Sequence, residues 1–368
     1  MSPLAGAGAE RFVEALCSFL VNKRANVTVY CQSLKSFSET TKLGTLTGVA
    51  DGGRFFPKYL YSVKTWPKVM GRSFDLVHGN GDTCFLYSIA RRTDMPFLMT
   101  FHGTTIGLAI AFRELSSAKK NFFRLIDSVP EFVAARRSEI AVACSKKVEN
   151  ELTRYYGIDS TKTRVIYNGV DTDQFKPLPR RIARKLLNLP NSKTLGIWVG
   201  NDPLRKGLDI ATKAVSEHRD VRLLVVGLHG KDTEQVKYLG RTHYFDLGRM
   251  CLLYNSADFL IYPSRYEGFP MVSLEALSCG LPIILSPRVP TAEIMTDSNE
   301  GRIARTMDPR EYSDLIGKLL DSPQETQRMA ENARALALKF DWKNQLKKYL
   351  DVYEELGVPL RDDAEKQL

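Results

Sequence analysis

At 368 residues the chain is too long for one ordinary core, and it predicts two domains of usual size. Apolar residues at 43% and charged residues at 26% are those of a globular protein and exclude long disorder and fibrous repeats. The net charge of +10 is uneven: residues 1–170 hold 23 of the 52 basic and 14 of the 42 acidic side chains, which puts +9 on the N-terminal half. Such a field favours an anionic partner, whether lipid, a phosphate-bearing acceptor or nucleic acid.

Short apolar runs alternate with amphipathic segments, the pattern of α/β domains. In chain order the expected strands are Val27–Tyr30, Leu76–His78, Phe97–Thr100 and Ile140–Ala143, then Leu195–Val199, Leu223–Val226, Phe259–Tyr262 and Ile283–Leu285, which implies two sheets. Turn residues and prolines from Asn168 to Pro179 read as a linker, with a boundary near residue 175. The longest uncharged apolar stretch near the middle, Ile106–Phe112, is far short of the roughly 20 residues of a membrane span. Residues 1–6 show no basic segment followed by an apolar one, so no secretory signal is read and a cytoplasmic location is expected. The six cysteines contain no CxxC and the five histidines no HExxH, so buried reduced thiols are expected rather than a zinc site or a disulfide framework.

Ligands of open α/β sheets sit beyond the carboxyl ends of strands. After Val199 the turn Gly200-Asn201-Asp202-Pro203-Leu204-Arg205-Lys206-Gly207 puts two cations at a helix start. Either they offset a diphosphate or they form a solvated basic helix end. After Tyr262, the segment from Pro263 to Gly280 carries Gly268 and Pro270, which let backbone pass close to a ligand, and then a buried helix from Ser273 to Cys279 ended by Gly280. Glu275 inside that apolar helix needs a partner, since an uncompensated buried carboxylate costs several kcal/mol. Ribose hydroxyls or a neighbouring arginine would serve.

Glu267 to Glu275 resembles the E-x7-E signature of the retaining family 4 glycosyltransferases, whose architecture, GT-B, pairs two Rossmann-like domains with parallel sheets facing a cleft. Further stretches fit in order: Ala7-Gly8-Ala9-Glu10-Arg11 is similar to the family's Gly-rich loop, Thr100-Phe101-His102-Gly103 to its histidine loop, and Ala143-Cys144-Ser145-Lys146-Lys147 to a strand end. Val165 to Asp171 with Phe175 resembles its inter-domain segment, and Phe340-Asp341-Trp342 the start of a last helix that returns to the first domain. The likeness runs from about residue 5 to 355. It implies an acceptor-side domain over 1–174, a donor-binding domain over 175–338, and a C-terminal helix and tail over 339–368 that packs on the first domain.

By that resemblance Glu275 holds the nucleotide ribose, while Glu267 and the backbone of Gly268, Phe269, Pro270, Met271 and Val272 meet the donor sugar and diphosphate. Lys206 neutralises the diphosphate, Gly8 belongs to the donor loop, and His102 lies near the reacting sugar, where a lone histidine is otherwise a structural donor. The family's second cation, directly after Gly200, is Asn201 here, so Arg205 must supply that charge if anything does. A small residue at that place resembles enzymes that extend the core of lipopolysaccharide. The implied chemistry is same-face transfer with retention, in which cations and helix ends stabilise the leaving diphosphate. No protein nucleophile is identifiable, and neither a metal nor another cofactor is expected beside the nucleotide-sugar donor. The match Asp171-Thr172-Asp173 to a metal-binding DxD lies in the linker and is read as accidental. Family members carry a strand before the Gly-rich loop, and here the chain opens almost at that loop, so the central strand of the first sheet is expected to be missing.

The expected acceptor is a glycan or lipid-linked molecule of cell-surface polysaccharide or glycolipid synthesis. Arg54 to Tyr61 and Lys119 to Ile126 mix aromatic and basic residues, which suits peripheral attachment to the inner face of an anionic membrane, or equally a helix packed on its own domain. Rival readings are an epimerase or sugar-phosphate synthase on the same fold, an inactive sugar-nucleotide-binding module, and a nucleic-acid binder, against which the basic residues are dispersed and match no such motif.

Overall fold

The computed structural model describes residues 8–33, 35–50, 57–112, 118–240 and 246–360, and the chain divides into two compact units. Unit 1 joins residues 1–167 to 343–368, and unit 2 is the continuous stretch 168–342.

Unit 1 contains β1 (Thr28–Ser33), β2 (Phe37–Thr41), β3 (Gly44–Ala50), β4 (Val77–Asn80), β5 (Phe97–Phe101), β6 (Ile140–Ala143) and β7 (Thr163–Val165). Its helices are α1 (Gly8–Asn22), α2 (Pro57–Met70), α3 (Phe85–Ile89), α4 (Thr105–Ala111), α5 (Ala118–Arg137) and α6 (Lys146–Tyr156). β4-β5-β6-β7 form a parallel sheet, and β1-β3-β2 a separate one in which β2 runs antiparallel to β3. One sheet was expected in this half and two are found. The β2–β3 hairpin escapes an apolar-run search because its strands are rich in Thr, Ser and Gly and only half-buried. β5 and β6 are buried on both faces, which is why they read as continuous apolar runs. The expectation of a missing first strand concerns the chain before α1, and residues 1–7 lie outside the described residues.

Unit 2 contains α7 (Arg180–Leu186), β8 (Thr194–Val199), α8 (Leu208–Ser216), β9 (Val221–Val226), β10 (Val236–Tyr238), α9 (Leu247–Ser256), β11 (Phe259–Tyr262), α10 (Met271–Ser278), β12 (Ile283–Leu285), β13 (Gly301–Ile303), α11 (Pro309–Asp321) and α12 (Pro323–Leu338). Its six strands are all parallel, in the order β10-β9-β8-β11-β12-β13. The chain winds outward from β8 in one direction and from β11 in the other, so the order reverses between these two neighbours. That reversal opens a crevice at their carboxyl ends, the usual ligand position in such sheets. Trp198, Leu223, Phe259, Ile284 and Tyr312 are among the core side chains that cover the sheet.

The boundary expected near residue 175 falls inside unit 2. Val170 pairs with Asp341, Thr172 Oγ1 donates to Asp341 Oδ2 at 2.5 Å, and Phe175 is fully buried, so these residues are tied to unit 2 rather than left as linker. Asp171 Oδ1 accepts from the backbone of Asp173 and Gln174, a turn role for the DxD-like match. The last helix, α13 (Trp342–Glu355), packs in unit 1, with Tyr349 and Tyr353 buried and Tyr353 Oη 2.9 Å from His78 Nδ1.

Of the two basic-aromatic stretches, residues 54–56 lie outside the described residues, while the backbone of 57–61 and of 119–126 is helical. No described helix is long and apolar enough to cross a membrane.

Candidate active site

The crevice between β8 and β11 is built by the two loops that leave these strands. After β8, Asp202 accepts from the Arg205 amide through its side chain and from the Lys206 amide through its carbonyl, which folds the loop back on itself. Gly207 ends it at φ +68, and a Cβ there would lie 2.1 Å from the Pro263 carbonyl oxygen, so only glycine lets the two loops touch. The Trp198 indole donates to the Lys206 carbonyl at 2.9 Å and fixes where the lysine side chain starts.

From there Lys206 runs under the site. Its Nζ donates to the Tyr262 hydroxyl at 2.6 Å and lies 3.6 Å from Glu267 Oε1. That same oxygen accepts from Tyr262 at 2.8 Å and from Ser264 at 3.0 Å, and Arg205 Nη1 pairs with it at 2.9 Å. Lys206 and Glu267 are buried. Burial pulls the lysine below its ordinary value, partly offset by Glu267. Burial acting alone would raise Glu267, yet Lys206, Arg205 and the two hydroxyls hold it below the usual carboxylate range. The result is a charge cluster with two cations and one fixed carboxylate at the mouth of the sheet. An incoming diphosphate would complete its neutralisation.

Next to it, the carbonyl of Phe269 is held by Asn168 Nδ2 at 2.9 Å, which shapes Gly268–Pro270. Pro270 is the N-cap of α10 and has no side-chain acceptor, and Ser273 turns its hydroxyl back onto the Pro270 carbonyl at 2.8 Å. The positive end of α10, opened by Met271 and Val272, therefore faces the same loop as the cations. One turn further, Glu275 is only 3% exposed and accepts from the Tyr254 hydroxyl of α9 at 2.8 Å. The partner that the buried carboxylate required includes this tyrosine.

Unit 1 carries the remaining candidates. Gly8 is the first residue of α1, whose buried Phe12 sets its ring 4.9 Å from that of His102. His102 follows β5, and its Nε2 lies 3.3 Å from Asn80 Oδ1 at the end of β4. With Nε2 donating there, Nδ1 is left as an acceptor, and among the described residues it is buried without a partner. Burial lowers this histidine to about 4, so the ring is neutral near pH 7.

Thus the structure brings Arg205, Lys206 and Glu267 together, sets Glu275 on the helix that follows, and places Gly8 and His102 in the other unit. Arg205, offered as the substitute for the family cation, engages Glu267 and the Tyr266 carbonyl, while Asn201 is exposed. Sequence reasoning missed Tyr262, Ser264 and Tyr254. Tyr262 was findable, being the last residue of a strand at whose carboxyl end the site had been sought.

Two units that each carry a parallel sheet, one with a crevice lined by Arg205, Lys206 and Glu267 at its topological switch point, define the GT-B class of glycosyltransferases. The Glycosyltransferase Family 4 model matches residues 6–174, and the Glycosyl transferases group 1 model matches residues 179–336. The chain belongs to this family of glycosyltransferases. It is 29% identical over 287 residues to the D-inositol 3-phosphate glycosyltransferase of Xylanimonas cellulosilytica, across 72% of this chain and 68% of that protein. Sucrose-phosphate synthase from Thermosynechococcus elongatus superposes with a TM-score of 0.82 at 19% identity over 96% of both chains. Anabaena HepE, solved with UDP-glucose, gives 0.74 at 19% identity over 95% of this chain and 96% of that one. At such identities these two likenesses speak for the fold alone.

Proposed function

We propose that the chain transfers a sugar, with retention and without a metal, from a nucleoside diphosphate sugar to a phosphate-bearing glycan or lipid-linked acceptor of cell-surface polysaccharide or glycolipid synthesis. The observation that carries this reading is the Lys206–Arg205–Glu267 cluster at the carboxyl ends of β8 and β11. As the sugar–phosphate bond breaks, negative charge grows on the leaving diphosphate, and Lys206, Arg205 and the N-terminus of α10 stabilise it. Glu275 accepts hydrogen bonds from the ribose hydroxyls beside the one it takes from Tyr254. His102 Nδ1 accepts from a hydroxyl of the sugar. The first donor to test is UDP-glucose, the nucleotide sugar with which the Anabaena neighbour was solved. An acceptor with a phosphate suits both the +9 charge of residues 1–170 and a relative named for inositol 3-phosphate.

The test is thermal shift against UDP-, GDP- and ADP-sugars, with Glu275→Ala and Lys206→Ala as controls. A ligand at 100 times its Kd stabilises the protein by about 2.7 kcal/mol, which at this size is a rise of several degrees. One nucleotide should shift the wild type and neither variant. No shift with any of them from folded protein would reject donor binding. Transfer in the presence of EDTA, with the product anomer read by NMR, checks metal independence and retention.

A further inference from the structure

Five of the six cysteines are buried, and two of them meet. Cys251, in the second turn of α9, and Cys279, the C-cap of α10, hold their sulfur atoms 4.0 Å apart, although 28 residues separate them in the chain. They are 4% and 5% exposed, nearly closed to bulky reagents yet not sealed from a small oxidant. The two thiols are unequal. Cys251 Sγ lies within hydrogen-bond reach of the Cys279 thiol, accepts from Asn255 Nδ2 at 3.4 Å and faces the Lys176 carbonyl at 3.7 Å. Its thiol is drawn down by the Cys279 hydrogen bond, against the opposing effect of burial, whereas burial pushes Cys279 well up. Cys251 is thus the more acidic of two thiols that already lie side by side, and the one set to meet a peroxide first.

We propose that Cys251 and Cys279 are an oxidative modification site at which a hydroperoxide converts the dithiol into a disulfide that weakens donor-nucleotide binding. In the first step the Cys251 sulfur attacks a peroxide oxygen, the O–O bond breaks, and hydroxide leaves and is protonated to water, giving a sulfenic acid. In the second the Cys279 sulfur attacks the Cys251 sulfur, the S–O bond breaks, and the departing hydroxide takes the Cys279 proton as a second water. Two thiols are oxidised and one hydrogen peroxide is reduced to two waters.

The consequence for binding follows from the two helices and rests on the reading of Glu275 as the ribose ligand. Tyr254 lies three residues beyond Cys251 on α9, and Glu275 four residues before Cys279 on α10, with the Tyr254–Glu275 hydrogen bond at 2.8 Å between them. A disulfide needs its sulfurs about 2.05 Å apart, so closing from 4.0 Å draws α9 and the end of α10 together by up to about 2 Å. The neighbouring Leu253, Tyr254, Ala276 and Leu277 are buried, and a close-packed interior passes a displacement on to adjoining groups. The carboxylate one turn away is displaced.

The experiment treats the intact protein with hydrogen peroxide, blocks remaining thiols under denaturing conditions, and maps peptides without reduction. The expected result is a Cys251–Cys279 linked pair, two hydrogens lighter than the separate peptides and released by dithiothreitol. Affinity for UDP, GDP and ADP is measured alongside. The nucleotide that binds the reduced protein should bind the oxidised form at least fivefold more weakly, recover on reduction, and be indifferent to peroxide in Cys251→Ser and Cys279→Ser. Failure to find the linked pair overturns the proposal whatever the nucleotides do, and a linked pair with unchanged affinity overturns the coupling to Glu275. If the reduced protein binds none of the nucleotides, the reading of Glu275 falls, while the peptide map still decides the modification.

Discussion

Glu267 Oε1 is within 3.6 Å of four donor side chains: Tyr262, Ser264, Arg205 and Lys206. Tyr262 is the hinge of the group, because its hydroxyl accepts from Lys206 and donates to Glu267, so each charge is placed through it. Tyr262→Phe should cost about 1–2 kcal/mol of stability, as a buried hydrogen-bond partner is lost. It should lower kcat for transfer about tenfold, with a smaller change in donor KM, since a misplaced lysine fails most where charge develops. Urea melts and steady-state kinetics read the two effects separately. His102 gives a pH dependence. Its folded value is about 4 against 6.5 for the free side chain, so between those pH values the unfolded chain binds the extra proton and stability drops as the pH falls. His78, lowered to about 3 by burial and by His102, adds to the same slope, so His102→Gln should reduce it without abolishing it in melts taken from pH 6.5 to 4, and an undiminished slope would show that the His102 ring is not buried and neutral.

At the scale of elements, two left-handed glycines separate a turn that any fold needs from one the site needs. Gly280 ends α10 at φ +68, and a Cβ there would lie 3.3 Å from the Ala330 carbonyl oxygen, so Gly280→Ala meets backbone strain and one tight contact away from the site and should cost about 1–2 kcal/mol. Gly207 has the same φ of +68, but its Cβ would strike the Pro263 carbonyl oxygen at 2.1 Å. Gly207→Ala must therefore push the β8 loop off the β11 loop, at about 2–4 kcal/mol, and carry Lys206 with it. Chemical denaturation of both variants, with nucleotide binding measured beside it, should show binding kept in the first and lost in the second.

On the scale of the whole chain, unit 1 is assembled from two distant segments, and α13 is its second piece. Leu346, Tyr349, Val352 and Tyr353 are all buried. At about 1.5–3 kcal/mol per large apolar side chain they contribute on the order of 6–12 kcal/mol, comparable with a domain's entire stability. Deleting residues 343–368 should abolish cooperative unfolding of unit 1 in calorimetry and leave the transition of unit 2, whose chain is continuous. The fold class and the burial of Glu275 were legible in the sequence because parallel strands buried on both faces write themselves as apolar runs, and because a glutamate stands out in an apolar helix. β2 and β3 were not foreseen because they are Thr-rich and half-buried, and β7, β10 and β13 because each sets a charged residue among only three, whereas the equally short β12 is apolar throughout.

The sequence by itself determined the α/β class, the two-unit plan, and the loops in which the charged candidate residues lie, since these follow from periodicity and from residue types over short spans. Only the tertiary structure decided which groups meet. It showed that Lys206 and Glu267 are joined through Tyr262, that Glu275 leans on Tyr254, and that the chain leaves unit 1 at residue 167 rather than near 175. It also set two cysteines that share no motif with their sulfurs 4.0 Å apart. The reason is common to all four: each contact joins residues from different strands, helices or loops, and their distance is fixed by how the sheet and helices pack, which local pattern does not encode.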